Sequence, residues 1–430
     1  MAISRRGLYG LAKPTKSDAL PSHRMPFEAF AESDYRRFWT TQFISNVGSW
    51  MQTVAQGWLV YRLTDSAFLL GFVGFASSAP AIVLMLPGGV LADQLNRKRV
   101  VAISQMAQAL TALFLAFSIY FHRITVWQIV AAAVIVGIAQ SFSAPAWQAM
   151  VVDLLEDRTR LPNAVAMNSL QFNLSRVVGP LLAGLTLSAW GSFWCFFLNA
   201  LSFLPLVWVL YTMHHRQQLL DADEALLKRF ADGVRFVRED RIILLLIGVV
   251  AAASLFGYPY LALMPIVARK LFTNDAQGMG YLTGGVGVGA LAGALFLSVK
   301  TLSQKRAIGM VFICLTAFGI ALGLVGTTRG TLIILGLLVV CGYSMVTMLA
   351  LCNTTIQQRV PDTMRGRVLS MYTFAFYAFV PFGNLGAGLI AEKRGIGVTL
   401  MTLGVGLLLS AAVAVTALYG RWSSVVGRGG

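Results

Sequence analysis

The chain has 430 residues, 57% hydrophobic and only 12% charged, with a mean hydropathy of +0.70. A folded soluble chain cannot hide that much apolar surface, so a water-soluble globular protein is excluded and a bilayer is the solvent that fits. The formal net charge of +16 is spread over many short loops with no nucleic-acid-binding motif, which argues against a nucleic-acid partner.

A bilayer core takes about 20 apolar residues of helix, and only helices or closed barrels satisfy the backbone inside it. The apolar runs here are continuous rather than alternating, so the pattern predicts an all-α membrane protein with twelve transmembrane helices in two six-helix bundles. Residues 1–33 are polar and basic without a signal-type apolar stretch, and are expected to form a disordered cytoplasmic tail. Residues 34–213 hold six apolar runs, at 39–61, 67–92, 100–121, 124–147, 162–188 and 192–213. A polar linker, 214–241, follows. Leu226, Phe230, Val234 and Val237 recur in it at helical spacing opposite Lys228, Arg229 and Arg235, which predicts an amphipathic helix on the inner membrane surface. Glu224 and Lys228 offer it an i,i+4 pair. Residues 242–420 hold six further runs, at 242–268, 278–299, 307–327, 331–353, 368–391 and 397–419, and 421–430 form a second tail.

With both termini placed in the cytoplasm, most of the 34 Lys and Arg fall in cytoplasmic segments, as the positive-inside rule requires. The two halves also repeat. A shift of 204 positions aligns Met167 with Met371, Phe172 with Phe376, Gly179 with Gly383 and Gly184 with Gly388. A one-residue gap upstream aligns Asp157 with Asp362 and Arg160 with Arg365. Parallel six-span repeats are one way transporters are built, with the substrate site at their interface.

Between the second and third runs lies "GGVLADQLNRKR", residues 88–99. Gly89, Leu91, Ala92, Asp93, Arg97 and Lys98 resemble the signature loop of the major facilitator superfamily, with Gln94 and Asn96 departing from it. Asn tolerates left-handed backbone angles, so the turn is expected to survive the loss of a glycine. A second loop, "QQRVPDTMRGRVLSMY", carries Asp362, Arg365, Gly366 and Arg367. Together with Ser33–Thr64 and "RFADGVRFVRED" in the linker, it resembles the branch of transmembrane secretion effectors to which the enterobactin exporter belongs. The resemblance implies that Gly89, Asp93, Arg97 and Lys98, with Asp362, Arg365 and Arg367, form cytoplasmic gates. It further implies a secondary active transporter that exports amphipathic small molecules, siderophore-like or drug-like, by alternating access, with proton coupling as an inherited expectation. The implied location is the cytoplasmic membrane of a bacterium, as a monomer among membrane lipids. A lipid or lysolipid flippase, and a non-transporting sensor on the same scaffold, are the alternatives.

In this superfamily spans 1, 4, 7 and 10 line the central cavity, with 2, 5, 8 and 11 beside them. Polar residues in those spans are the substrate-binding candidates: Gln42, Asn46, Trp50 and Thr53 in span 1, Gln140 in span 4, Thr347 in span 10, and Tyr377 and Asn384 in span 11. The same residue types also serve as interhelical glue. Arg176 is the one Lys or Arg placed within a span. A mid-membrane Arg costs roughly 2.5–3.5 kcal/mol on insertion scales, so it should face the interior with a partner. It is a further binding candidate, with Asp153 a possible counter-ion. Gly179, Pro180 and Gly184 after it resemble the span 5 antiporter motif of exporters.

An enzyme is disfavoured. There is no P-loop and no HExxH, and His23, His122, His214 and His215 all lie outside the spans. Cys195, Cys314, Cys341 and Cys352 have no metal-like spacing and read as small buried residues. No metal or cofactor is expected. No Asp or Glu sits well inside a span, which gives proton coupling little support.

Overall fold

The computed structural model describes residues 27–213, 226–300 and 302–419, leaving out the side chains of 85–94, 226–232, 362, 363 and 419. Six long helices come first: α1 (Ser33–Thr64), α2 (Ala67–Gln94), α3 (Arg97–Tyr120), α4 (Val126–Asp153), α5 (Leu161–Trp190) and α6 (Ser192–Thr212). The linker contributes α7 (Leu226–Glu239). Then follow α8 (Arg241–Ala252), α9 (Met264–Leu271), α10 (Asp275–Val299), α11 (Gln304–Thr327), α12 (Thr331–Arg359), α13 (Asp362–Arg394) and α14 (Ile396–Tyr419). No strand occurs among the described residues.

Local chemistry sets the boundaries. Asn96 is the N-cap of α3, its Oδ1 accepting the Arg99 backbone N–H at 3.2 Å. Its backbone is extended, with φ −64° and ψ 106°, so the expected left-handed turn is not what the residue provides. The missing glycine is replaced by a capping side chain. Thr125 and Gln128 form a reciprocal capping box at α4. Asp240 caps α8 through the backbone N–H groups of Ile242 and Ile243.

The run at 242–268 is not one helix. After α8 the chain passes through a π turn (Ala253–Gly257) and a 3-10 turn (Pro259–Leu261) before α9. Pro259 and Pro265 explain the break, since each lacks a backbone N–H and crowds the preceding turn.

Ten of the described segments are long and apolar enough to cross a membrane, so this is a multi-pass membrane protein. α1 and α5 do not reach that apolarity. Both carry a row of amide and hydroxyl side chains: Gln42, Ser45, Asn46 and Ser49 on α1, and Asn168, Ser169 and Asn173 on α5.

In the first half α1 packs on α5 and α6, α2 on α4, and α3 on α4 and α6. In the second, α11 packs on α12 and α14, α10 on α12, and α13 on α8, α14 and the π turn. Two seams join the halves, α2 against α13 and α5 against α10. The helices alternate in direction. One end of the molecule, called the near end below, holds the starts of α1, α3 and α5 and the ends of α2, α4 and α6. The far end holds the opposite termini. α7 lies at the near end against α13, where a Cβ on Gly233 would lie 3.1 Å from the Arg367 carbonyl oxygen. The amphipathic helix of the linker is thus present, with Val237 buried in the core. Its pair Glu224–Lys228 lies outside the described residues, and Arg235 bonds Glu239 instead. Glu28–Ala31, within the stretch expected to be disordered, is a 3-10 turn whose Ala29 N–H donates to Asn163 of α5, and the Glu32 that follows it bonds Arg160 just before that helix. Residues 1–26 lie outside the description.

Candidate functional site

The polar rows of α1 and α5 meet those of α3 and α4 around a cavity of about 600 Å³. Its wall includes Gln42, Ser45, Asn46 and Ser49 of α1, Gln105 and Gln108 of α3, and Gln140, Ser143 and Gln148 of α4. Asn168, Ser169 and Asn173 of α5 continue it, and Val101, Trp147, Val152, Val165, Phe172 and Phe203 supply apolar surface. Tyr377 of α13 is the lining residue from the second half. The volume falls in the range of small-molecule pockets, about 300–1,000 Å³. No Lys, Arg, Asp, Glu or His is among the lining residues.

The wall is cross-linked by its own amides. Gln42 Nε2 donates to Asn46 Oδ1 at 3.0 Å, and Gln140 Nε2 donates to Gln108 Oε1 at 3.1 Å. Gln42 Oε1, Gln105 Oε1 and Trp147 Nε1 are buried and lack a protein partner. Such groups cost free energy unless a hydrogen-bonding guest or solvent meets them, so the wall favours polar contacts as well as apolar ones.

The cavity reaches the near end, where Val101 lies one turn into α3 and Val152 next to the end of α4. Its lining stops at Ser49 on α1, Gln140 on α4 and Asn173 on α5. Beyond that level the halves close. A Cβ on Gly184 would lie 3.0 Å from Gly280 Cα, and one on Gly388 would lie 2.9 Å from Gly71 Cα. At the far end Arg269 bonds Asp65 at 2.7 Å, and Glu392 Oε2 accepts from Ser66 Oγ and the Phe68 N–H at the start of α2.

Of the binding candidates, Gln42, Asn46, Gln140 and Tyr377 line the cavity. Trp50 and Arg176 sit just beyond its lining, with the Arg176 guanidinium 5.3 Å from the Trp50 ring centre. The structure places the other three elsewhere. Thr53 is exposed, its hydroxyl turned back to the Ser49 carbonyl. Thr347 is fully buried against Gly293 of α10. Asn384 is buried in the α2–α13 seam against Gly74. These last two lie where helices pack closely. Missed in the sequence were Ser45 and Ser49, the α3 pair Gln105 and Gln108, Gln148, and Asn168, Ser169 and Asn173. Amides and hydroxyls do recur one helical turn apart in "SQMAQ" and "NSLQFN", a spacing that puts them on one helix face without telling what that face meets.

At the near end Arg97, buried at the start of α3, bonds Asp153 at the end of α4 at 2.6 Å. Lys98 Nζ bonds the Met213 carbonyl that closes α6, at 2.7 Å. Asp153 is therefore not the partner of Arg176; α3 takes it. Arg359 bonds Asp240, tying α12 to α8. Arg365 and Arg367 lie in the first two turns of α13. Gly89, Asp93 and Asp362 fall outside the described side chains. In the loop before α5, hydrogen bonds from the Thr159 hydroxyl and backbone N–H hold the exposed Asp157 carboxyl below its usual pKa.

Gly179 packs on α1, where a Cβ would lie 2.5 Å from Trp50 Cβ, whereas Gly184 packs across the seam on α10. Pro180 is buried within α5 between them.

A family model described as transmembrane secretion effector matches residues 24–425. The chain belongs to that family. The family is part of the major facilitator superfamily, and its members are transporters rather than enzymes. The staphyloferrin A transporter of Staphylococcus aureus is 25% identical over 380 residues, 86% of this chain and 92% of that protein. The multidrug efflux pump Tap of Mycolicibacterium fortuitum is 26% identical over 386 residues, with the same coverage of 86% and 92%. Macrolide efflux protein A of Streptococcus pyogenes is 23% identical over 381 residues, 83% of this chain and 89% of that protein. Among solved structures, the nucleoside transporter NupG matches with a TM-score of 0.69 at 16% identity, over 89% of this chain and 99% of that one. A bacterial homolog of the human lysosomal transporter Spinster matches with a TM-score of 0.70 at 14% identity, over 91% and 97%. At such identities the likeness speaks to the fold alone, which is that of the superfamily.

Proposed function

We propose that the protein is a twelve-span secondary transporter of the bacterial cytoplasmic membrane, built as two six-helix bundles, that exports amphipathic small molecules by alternating access. The observation that carries this reading is the cavity, open to the near end and closed toward the far end by the two seams and the Asp65–Arg269 and Glu392–α2 contacts. In this reading α1 and α5 supply the remaining two spans, their polar rows facing the cavity rather than lipid. The distribution of Lys and Arg supports a cytoplasmic near end, with both termini there. Cargo then enters from the cytoplasm and leaves when the seams open. Export is supported by the antiporter-like Gly179, Pro180 and Gly184, and by relatives named for a siderophore, multiple drugs and a macrolide. The lining mixes amides with Phe172, Trp147 and valines, which suits an amphipathic guest. It holds no carboxylate or histidine, so an ion gradient would have to be read at the helix ends or by the cargo itself.

Untargeted mass spectrometry of medium and cytosol tests this, comparing cells that lack the protein with cells that overproduce it. A compound retained by the deletion strain and enriched outside the overproducer is the expected result. Unchanged pools on both sides would remove the export reading.

A further inference from the structure

Arg176 is 8% exposed, and among the described residues its guanidinium meets no carboxylate and makes no hydrogen bond. The Trp50 ring is the described partner of the guanidinium, its centre 5.3 Å away. A guanidinium brings a fixed positive charge and five N–H donors to such a place. An aromatic face offsets only part of the loss of water.

The internal repeat shows that packing does not require this charge. Phe172 meets Trp50 edge-on, and its repeat partner Phe376 meets Tyr258 edge-on. In that matched frame the position of Arg176 corresponds to Val380, which is 4% exposed. One half fills the site with a small apolar side chain. The other spends a cation at the same place, one turn beyond the cavity wall at Phe172 and Asn173.

We infer that Arg176, backed by Trp50, is the recognition site for an anionic head on the cargo. The cargo class is then an amphiphile with a carboxylate, sulfonate or phosphate at one end and an apolar or aromatic body. The cavity suits the rest of such a molecule, since its lining adds no competing cation and no repelling carboxylate. A bidentate guanidinium–oxyanion pair in a dry site is strong and direction-specific. This inference rests on the export reading for calling its ligand cargo.

The test uses the full chain purified in detergent, with 1-pyrenebutyrate and 1-pyrenebutanol as probes that share a body and differ in head. The wild type should bind the butyrate at least about tenfold more tightly than the alcohol. Arg176→Gln should bind the two alike, and Arg176→Lys should keep part of the preference. Without any probe, Arg176→Met should melt a few degrees above the wild type, because it removes a buried charge with no counter-ion. A wild type with no preference for the butyrate overturns the inference, and so does an Arg176→Met protein that melts no higher. Acetate competing as well as pyrenebutyrate would overturn the amphiphile part. In nanodiscs, phosphatidylglycerol that displaces the butyrate would make the anion a lipid head; failure to displace it would make it a soluble cargo. Anion preference with no effect of the protein on any extracellular pool would sink the export reading alone. Export of a compound by a protein without that preference would sink this inference alone.

Discussion

Gly184 of α5 and Gly388 of α13 occupy equivalent places in the two seams that hold the halves together. A Cβ on Gly184 would lie 3.0 Å from Gly280 Cα, and one on Gly388 would lie 2.9 Å from Gly71 Cα. Their repeat neighbours follow suit. Gly179 packs on α1 and Gly383 on the broken segment after α8, at the Leu255 carbonyl and Pro259. Gly191 and Gly395 end α5 and α13 with φ of +85° and +80°. The 204-residue offset is thus a repeat of contacts as well as of letters.

Those seams set the first prediction. Gly388→Leu and Gly184→Leu insert side chains where backbone faces backbone, which costs about 1–3 kcal/mol or more of packing strain. Both variants should melt lower in detergent and lose transport. Gly386→Ala, on the same helix but with nothing within 4 Å, should melt at or slightly above the wild type.

The far end holds by two contacts of unequal strength. Arg269–Asp65 is exposed, at 51% and 68% for the two side chains, and is worth roughly 0.2–1 kcal/mol. Glu392 accepts the Phe68 N–H and the Ser66 hydroxyl at the start of α2, and losing such a cap costs about 1 kcal/mol. Glu392→Ala should therefore open the far end more than Arg269→Ala does, and only the Arg269 effect should fade in high salt. Reactivity of a cysteine placed at Ala67, buried beside these contacts, toward a maleimide added from the far side reads both.

Arg97 and Asp153 form the most enclosed ion pair described, at 9% and 20% side-chain exposure. Removing one partner of a buried pair costs about 3–5 kcal/mol, because the other is left uncompensated. Arg97→Ala and Asp153→Ala should each lower the melting temperature sharply. The double variant Arg97→Met with Asp153→Leu should recover much of the loss. A double variant as unstable as either single one would count against this account.

Cavity access can be read with a thiol. Cys195, Cys314, Cys341 and Cys352 are all buried, so the native background is quiet. Ser169→Cys, on the exposed cavity wall, should react with an impermeant maleimide from the cytoplasmic side in everted vesicles and stay silent in intact cells. Arg123→Cys, in the far-end loop after α3, should show the opposite pattern. Pre-loading with cargo should slow the Ser169→Cys reaction.

Much was legible in the residues. Eleven of the twelve runs each fall largely within one long helix, the linker helix appears as α7, and Arg97 and Lys98 make inter-helix bonds at the near end. The seam residues Gly184 and Gly388 could be singled out from the repeat alone. Arg176 was conspicuous as a lone cation in an apolar run. Its neighbours were not. Asp153 looked available as a counter-ion from the sequence, but α3 brings Arg97 to it. The run at 242–268 does form one membrane-length segment, but its break was not legible, because hydropathy averages over Pro259 and Pro265 while backbone hydrogen bonding does not.

The sequence by itself determined the membrane class, the helix positions and the internal repeat. Each of these is a property summed along a segment, and hydropathy and repeat matches need no knowledge of neighbours. Tertiary structure alone decided that Gln105, Gln108 and Asn168 face the cavity, while Asn384 is packed into the α2–α13 seam and Thr347 against α10 within the second half. An amide in a membrane helix has the same composition signal in either place. Which one it occupies depends on the rotation of its helix and on what crosses it, and those are set by backbone approaches such as Gly71 to Gly388.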